Sequence, residues 1–122
     1  GWDVDFYMTC FYNLNKSHRE SALVDPFNAG TVEVFDLEDP PRMIRIIQQT
    51  QKMCLAFKFL AAGRRCRTHE DVRTAFEYVF ANIKTGDAVI AGMFPKHEDQ
   101  IQLNVQHTVA AIESARASAT SD

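Results

Sequence analysis

The chain has 122 residues, 46% of them hydrophobic and 24% charged, which is the make-up of one ordinary globular domain with a single core. Its formal net charge of -3 argues against a general nucleic-acid binder, because neutralising phosphates takes a basic face. No apolar run approaches the roughly 20 residues that span a bilayer, and no basic-then-apolar leader opens the chain. Three cysteines without a CxxC pair indicate neither a disulfide framework nor a zinc ribbon, so a reducing, cytoplasmic setting is expected. Gly1, in place of an initiator Met, is expected to mark processing, a tag remnant or an excised piece of something longer.

In chain order, Asp3 to Tyr12 is aromatic and β-forming with little polar interruption, the pattern of a strand buried on both faces. The stretch 14–38 has no clean period, carries turn signals at Asp25-Pro26, Asn28 and Gly30, and is long enough to be a lid or to hold a short element at Thr31 to Phe35. Asp39-Pro40-Pro41 predicts a helix start with a carboxylate N-cap, and helix one runs to about Thr50 on a Met43, Ile44 and Ile47 stripe. Strand two is Met53 to Leu60, apolar except for Lys58. Thr68 with Asp71 forms a near capping box for helix two, whose Val72, Ala75, Phe76, Val79, Phe80 and Ile83 repeat at helical spacing. Strand three is Ala88 to Met93. After Pro95, helix three carries Ile101, Val105, Val109 and Ile112 on one face and is expected to fray over 115–122.

Strands alternating with helices specify an α/β fold of parallel β/α units joined by right-handed crossovers. Ligands in such folds sit at the strand C-termini. Here that rim is Thr9 to Asn13, Lys58 to Arg67 and Gly92 to Gln100. Three strands make a poor sheet alone, so two organisations follow. Either the domain is a freestanding interaction module that completes its sheet with a second copy, or it is the last three units of a (β/α)8 barrel.

The succession DFYMTCFYN, CLAFKFLAAGR and DAVIAGMFPKHEDQIQLNV resembles the final three β/α units of a TIM barrel and is most similar to the aldo-keto reductase superfamily. Tyr12-Asn13, Lys58-x-Leu60 with Ala62-Gly63, Gly92-Met93, and Asp99-Gln100 with Asn104 take the places of that family's strand-end motifs. The resemblance implies an oxidoreductase whose NADP cofactor contacts Tyr12, Asn13, Lys58, Gly63, Arg64, Gly92, Met93, Lys96, Gln100 and Asn104. It also implies that the acid/base residues lie in an earlier part of the barrel, so that this chain alone shows no turnover. The turn AAGRRCRTHEDVRTAFE followed by AVIAGM also looks like that of phosphate-binding barrels such as small aldolases or isomerases.

Gly63 and Gly92 end adjacent strands, and glycine lets backbone N–H groups approach an anion that a helix N-terminus also attracts. Arg64, Arg65 and Arg67 would add bidentate partners, although a solvated basic edge accounts for them equally. Lys58 is a candidate Schiff-base amine, with a snorkelling or ion-paired lysine as the plain alternative. Cys66-x-x-His69 lacks a second pair, so no metal is expected. Cys10 reads as a packed thiol. The substrate is not written in these residues.

Overall fold

The computed structural model describes residues 3–14 and 35–120. Three strands, β1 (Phe6–Cys10), β2 (Met53–Phe57) and β3 (Ala88–Ile90), alternate with three helices, α1 (Asp39–Gln49), α2 (His69–Asn82) and α3 (Gln100–Ala119). The sheet is parallel throughout, in the order β1-β2-β3. The α/β class and the parallel pairing agree with the sequence pattern. Most of the 14–38 connection, including Thr31 to Val34, lies outside the described residues.

Both crossovers step in the same direction along the sheet. Right-handed connections that never reverse direction place every helix on one face. The register shows which face that is. Thr9 pairs with Ala56, and Ala56 with Val89. Thr9, Cys54 and Ala56 are buried, with Cys54 and Ala56 at 0% exposure. These side chains meet Ile44 and Ile47 of α1 and Ala75, Phe76 and Val79 of α2 in one cluster, joined by Ala111 of α3. Four phenylalanines, Phe11, Phe35, Phe59 and Phe76, fill it, with Phe59 standing edge-on to Phe76 at 5.0 Å. Edge-to-face rings at this spacing add about 0.5–1.5 kcal/mol to their burial.

The opposite face is set by the same pleat. Phe6, Met8 and Cys10 line up with Met53, Leu55 and Phe57, and the last two with Ala88 and Ile90. All eight are apolar. No described helix covers them, and Phe6, Met8, Met53 and Ile90 each keep 42–58% of their surface exposed. The expectation that strand one is buried on both faces is therefore corrected: β1 is buried on its helix side only at Thr9, and its other side is bare.

Several boundaries differ for local reasons. β2 ends at Phe57, not Leu60, because Lys58 turns left-handed at φ 60°. β1 and β3 are likewise shorter than expected. Asp39 does not cap α1: Glu38 occupies that position without a side-chain bond, while Asp39 is the first helical residue. The Asp39 carboxylate instead accepts from the Asn13 backbone N–H at 2.8 Å and pairs with Arg42 at 3.6 Å. The Thr68–Asp71 capping box is fully formed. α3 begins at Gln100 and continues through 115–119, where fraying was expected. Its stripe is also misjudged by periodicity. Ile101, Val105 and Val109 point outward at 50–58% exposure, while α3 packs on α2 through Ala111, with the His107 ring lying against Phe76.

One polar clasp holds the sheet's amino-terminal end. The Asp87 side chain, 1% exposed, accepts from the Cys54 backbone N–H at 2.8 Å and the Lys84 backbone N–H at 2.9 Å. Lys84 Nζ donates to both Asp87 oxygens and to the Ile47 carbonyl at 2.8 Å. The end of α1, the start of β2 and the turn into β3 thus share one ion pair. Asp87→Ala is expected to cost about 2–3 kcal/mol, less than the ~3–5 of a fully buried pair because Lys84 keeps 26% exposure. Urea denaturation checks this: the midpoint should fall at unchanged slope.

Candidate functional site

The carboxyl ends of β2 and β3 are followed by loops 58–68 and 91–99, which face each other across two adjoining clefts. The first, about 470 Å³, is mostly apolar and is lined by Lys58, Leu60, Gly63, Ile90, Phe94 and Gln100 among others. The second, about 180 Å³, is more polar and is lined by Cys66, Arg67, His69, Glu98, Asn104 and His107 among others. Leu60, Cys66, Gly92 and Gln100 are common to both. Gln100 pins the wall between them, its Oε1 accepting from the Phe94 backbone N–H at 2.7 Å. His69, the first residue of α2, reaches across to Glu98 at 3.4 Å, linking that helix to loop 91–99.

Loop 58–68 has an unusual backbone. Lys58, Ala61 and Ala62 take positive φ of 60°, 52° and 50°, followed by Gly63 at 89°. Each non-glycine residue held there costs about 1 kcal/mol or more. The turn uses its own amides: Ala61 N–H donates to Lys58 O, Gly63 to Leu60, Arg64 to Ala61, Arg65 to Leu60 and Cys66 to Gly63. These N–H groups are therefore occupied. The helix N-termini nearby are compensated as well, α2 by Thr68, Glu70 and Asp71, and α3 by Asp99, which accepts from Gln102 N–H. An anion at this rim would be held by side chains, not by a glycine nest or a helix dipole.

Four cations and no acid lie in 58–68. The structure divides them. Arg64 lays its guanidinium over the Phe35 ring at 4.2 Å and donates to Ala61 O. Burial pushes the Tyr12 hydroxyl above its ordinary pKa, against the opposing pull of the nearby Arg65 guanidinium. Lys58 and Arg67 line the clefts, one in each. Arg67 makes no hydrogen bond or ion pair among the described residues.

The residues expected to touch a cofactor fall into three groups. Lys58, Gly63, Gly92, Gln100 and Asn104 come together around the two clefts. Tyr12 and Asn13 lie elsewhere, along a groove between the end of β1 and the start of α1. Tyr12 is only 2% exposed and packs edge-on against Phe35. Met93 and Lys96 are exposed in the β3–α3 loop and line neither cleft, and Arg64 belongs to the Phe35 contact. Sequence reasoning missed His69, Glu98 and His107 as wall residues. His107 was discoverable, since it lies seven residues beyond Gln100 on the same helical face. Cys66 is no activated nucleophile: partial desolvation, and then the Asp71 carboxylate, raise its thiol pKa. Among the described residues no group of three or more His, Cys, Asp or Glu gathers as metal ligands.

No protein-family model matches the chain, and neither does any curated protein or solved structure. A Cβ at Gly63 would meet no atom within 4 Å, so Gly63→Ala isolates the backbone requirement. A loss of about 1 kcal/mol is expected from φ alone, read as a lowered thermal midpoint with the fold retained.

Proposed function

We propose that the chain is the ligand-binding carboxyl-terminal part of a (β/α)8 barrel oxidoreductase, aldo-keto-reductase-like, that binds NADP at the rim of β2 and β3. The observation carrying this reading is the acid-free, four-cation loop at the end of the central strand of a chain whose net charge is -3. Two of the four, Lys58 and Arg67, line the clefts, where positive charge attracts an anionic ligand against the single carboxylate of Glu98. The residues present suit such a cofactor. Lys58 and Arg67 offer charge to phosphate, Gln100 and Asn104 offer hydrogen bonds, and the apolar cleft offers a wall for a heteroaromatic ring. Once bound, the cofactor supplies the hydride. This chain's part is to hold and orient it, while the acid/base groups come from other strands of the barrel.

The bare sheet face supports the barrel half of the reading. An apolar face must be buried against another layer, and a barrel buries it while pairing both open edges. Pairing with a second copy through the sheet alone is a weaker solution. A face three strands wide and at most five residues long spans roughly 240 Å², far below the ~800 Å² per partner of a standard interface. Edge-to-edge pairing would leave the face bare.

Titration with NADPH, followed by cofactor fluorescence, tests the reading. Saturable binding that weakens with salt is expected, and Arg67→Ala should weaken it about tenfold or more, the equivalent of one charge-assisted hydrogen bond. No binding to this chain or to the longest protein that contains it sinks the nicotinamide assignment.

A second reading rests on Lys58, whose left-handed backbone turns it into the apolar cleft's wall at the end of β2. There a lysine suits a Schiff base with a phosphorylated aldehyde or ketone, as in a lyase or isomerase barrel. Borohydride reduction in the presence of candidate carbonyl phosphates should leave a covalent adduct on the Lys58 peptide, abolished in Lys58→Arg; an unmodified peptide rules this chemistry out.

A further inference from the structure

We propose that the smaller, polar cleft is an anion site switched on by protonation of His69, which neutralises Glu98 and leaves the charge of Arg67 to the ligand. The inference rests on reading this rim as anion-binding and adds how that binding is regulated. Arg67 and Glu98 are, among the described residues, the one guanidinium and the one carboxylate lining this cleft of about 180 Å³. While His69 is neutral their charges cancel, and the cleft offers an anion no net attraction. Glu98 is fixed in that position from two sides. His69 Nε2 stands 3.4 Å from its Oε2, and its Oε1 accepts from Gln100 Nε2, also at 3.4 Å.

Histidine is the side chain whose charge changes between about pH 5 and 8. A proton taken up by His69 in that range turns its contact with Glu98 into a full ion pair. The cleft then carries one positive charge, so anion affinity rises as pH falls and is lost again as pH rises. The other groups facing His69 do not cancel this. From α2, Glu70 is paired with Arg73, and Asp71 accepts the Thr68 backbone N–H at 3.1 Å; none of these three acids and bases lines the cleft. From loop 58–68, Cys66 adds a thiol whose pKa is raised, so it stays neutral. Lys58 lines the neighbouring cleft. From α3, Asn104 is uncharged, and His107, whose ring lies 5.8 Å from that of Phe76, is the second imidazole in the wall. A proton on His107 would add charge without pairing Glu98, so the two histidines are separable.

Sulfate is the probe, because it is dianionic throughout this range and any pH dependence belongs to the protein. The protein as its gene encodes it is titrated at constant ionic strength, near pH 5.5 and near pH 8, and the backbone amide shifts of Arg67, His69 and Asn104 are read by NMR. Binding about tenfold tighter at the lower pH is expected, for one added unit charge at a partly exposed site. His69→Asn should abolish the difference and His107→Asn should keep it. Glu98→Gln should bind near pH 8 about as tightly as the unaltered protein does near pH 5.5, since both cleft charges then sum to plus one. Equal affinity at the two pH values, a difference carried by His107, weaker binding by Glu98→Gln near pH 8, or no saturable shift at either pH overturns the proposal. NADPH binding alongside any of those results leaves the cofactor reading standing, whereas proton-linked sulfate binding without a response to NADPH keeps the switch and removes the cofactor.

Discussion

The direction of winding governs this molecule. Both crossovers step the same way along the sheet, and with the right-handed connection that is the rule for parallel strands the helices do not share themselves between its two faces. On the helix side Thr9, Cys54 and Ala56 become core while Tyr7 stays exposed, and the other side is left with apolar side chains and no described cover. A reversal of direction after β2 would have placed α2 on the opposite face and closed a small two-sided layer structure. Without that reversal, an eight-residue apolar surface from Phe6 to Ile90 is a direct result of topology.

The two ends of the sheet are built differently. At the amino-terminal end, one carboxylate and one ammonium hold α1, β2 and the β3 turn together. At the carboxyl end the backbone is bent into the left-handed region at Lys58, Ala61, Ala62 and Gly63, and the loop that results is cationic. Strain of this kind survives only where the surroundings over-determine it. Here Phe59 and Ala61 are both buried, so the turn is anchored from beneath while Lys58 and Arg67 remain at the cleft.

Most of the fold was legible in the amino acids because its signals are local. The helical repeat from Val72 to Ile83, the Thr68–Asp71 box and the short apolar strands all lie within a few residues of the structure they specify. Partner-dependent features were not legible. The period of Ile101, Val105 and Val109 correctly announces a helix, yet periodicity cannot say which of two apolar faces meets α2. Lys58 appeared as a lysine inside a strand because an interruption in φ has no counterpart in composition. The rim was found through its glycines, although Gly63 serves the turn itself. Arg67 was read as part of the rim, but His69, Glu98 and His107, which line the same cleft, were grouped with it only by the packing of α2 against α3.

The Asp87 clasp has a consequence for how such a chain changes over generations. Its hydrogen bonds and ion pair are made at the end of the sheet farthest from loops 58–68 and 91–99. The clasp's share of stability is thus held away from the clefts between those loops. Insertions, charge reversals or new side chains at Lys58 to Thr68 leave the clasp intact. A lineage carrying this scaffold is free to rewrite the exposed residues of the rim, with the same foundation beneath each version.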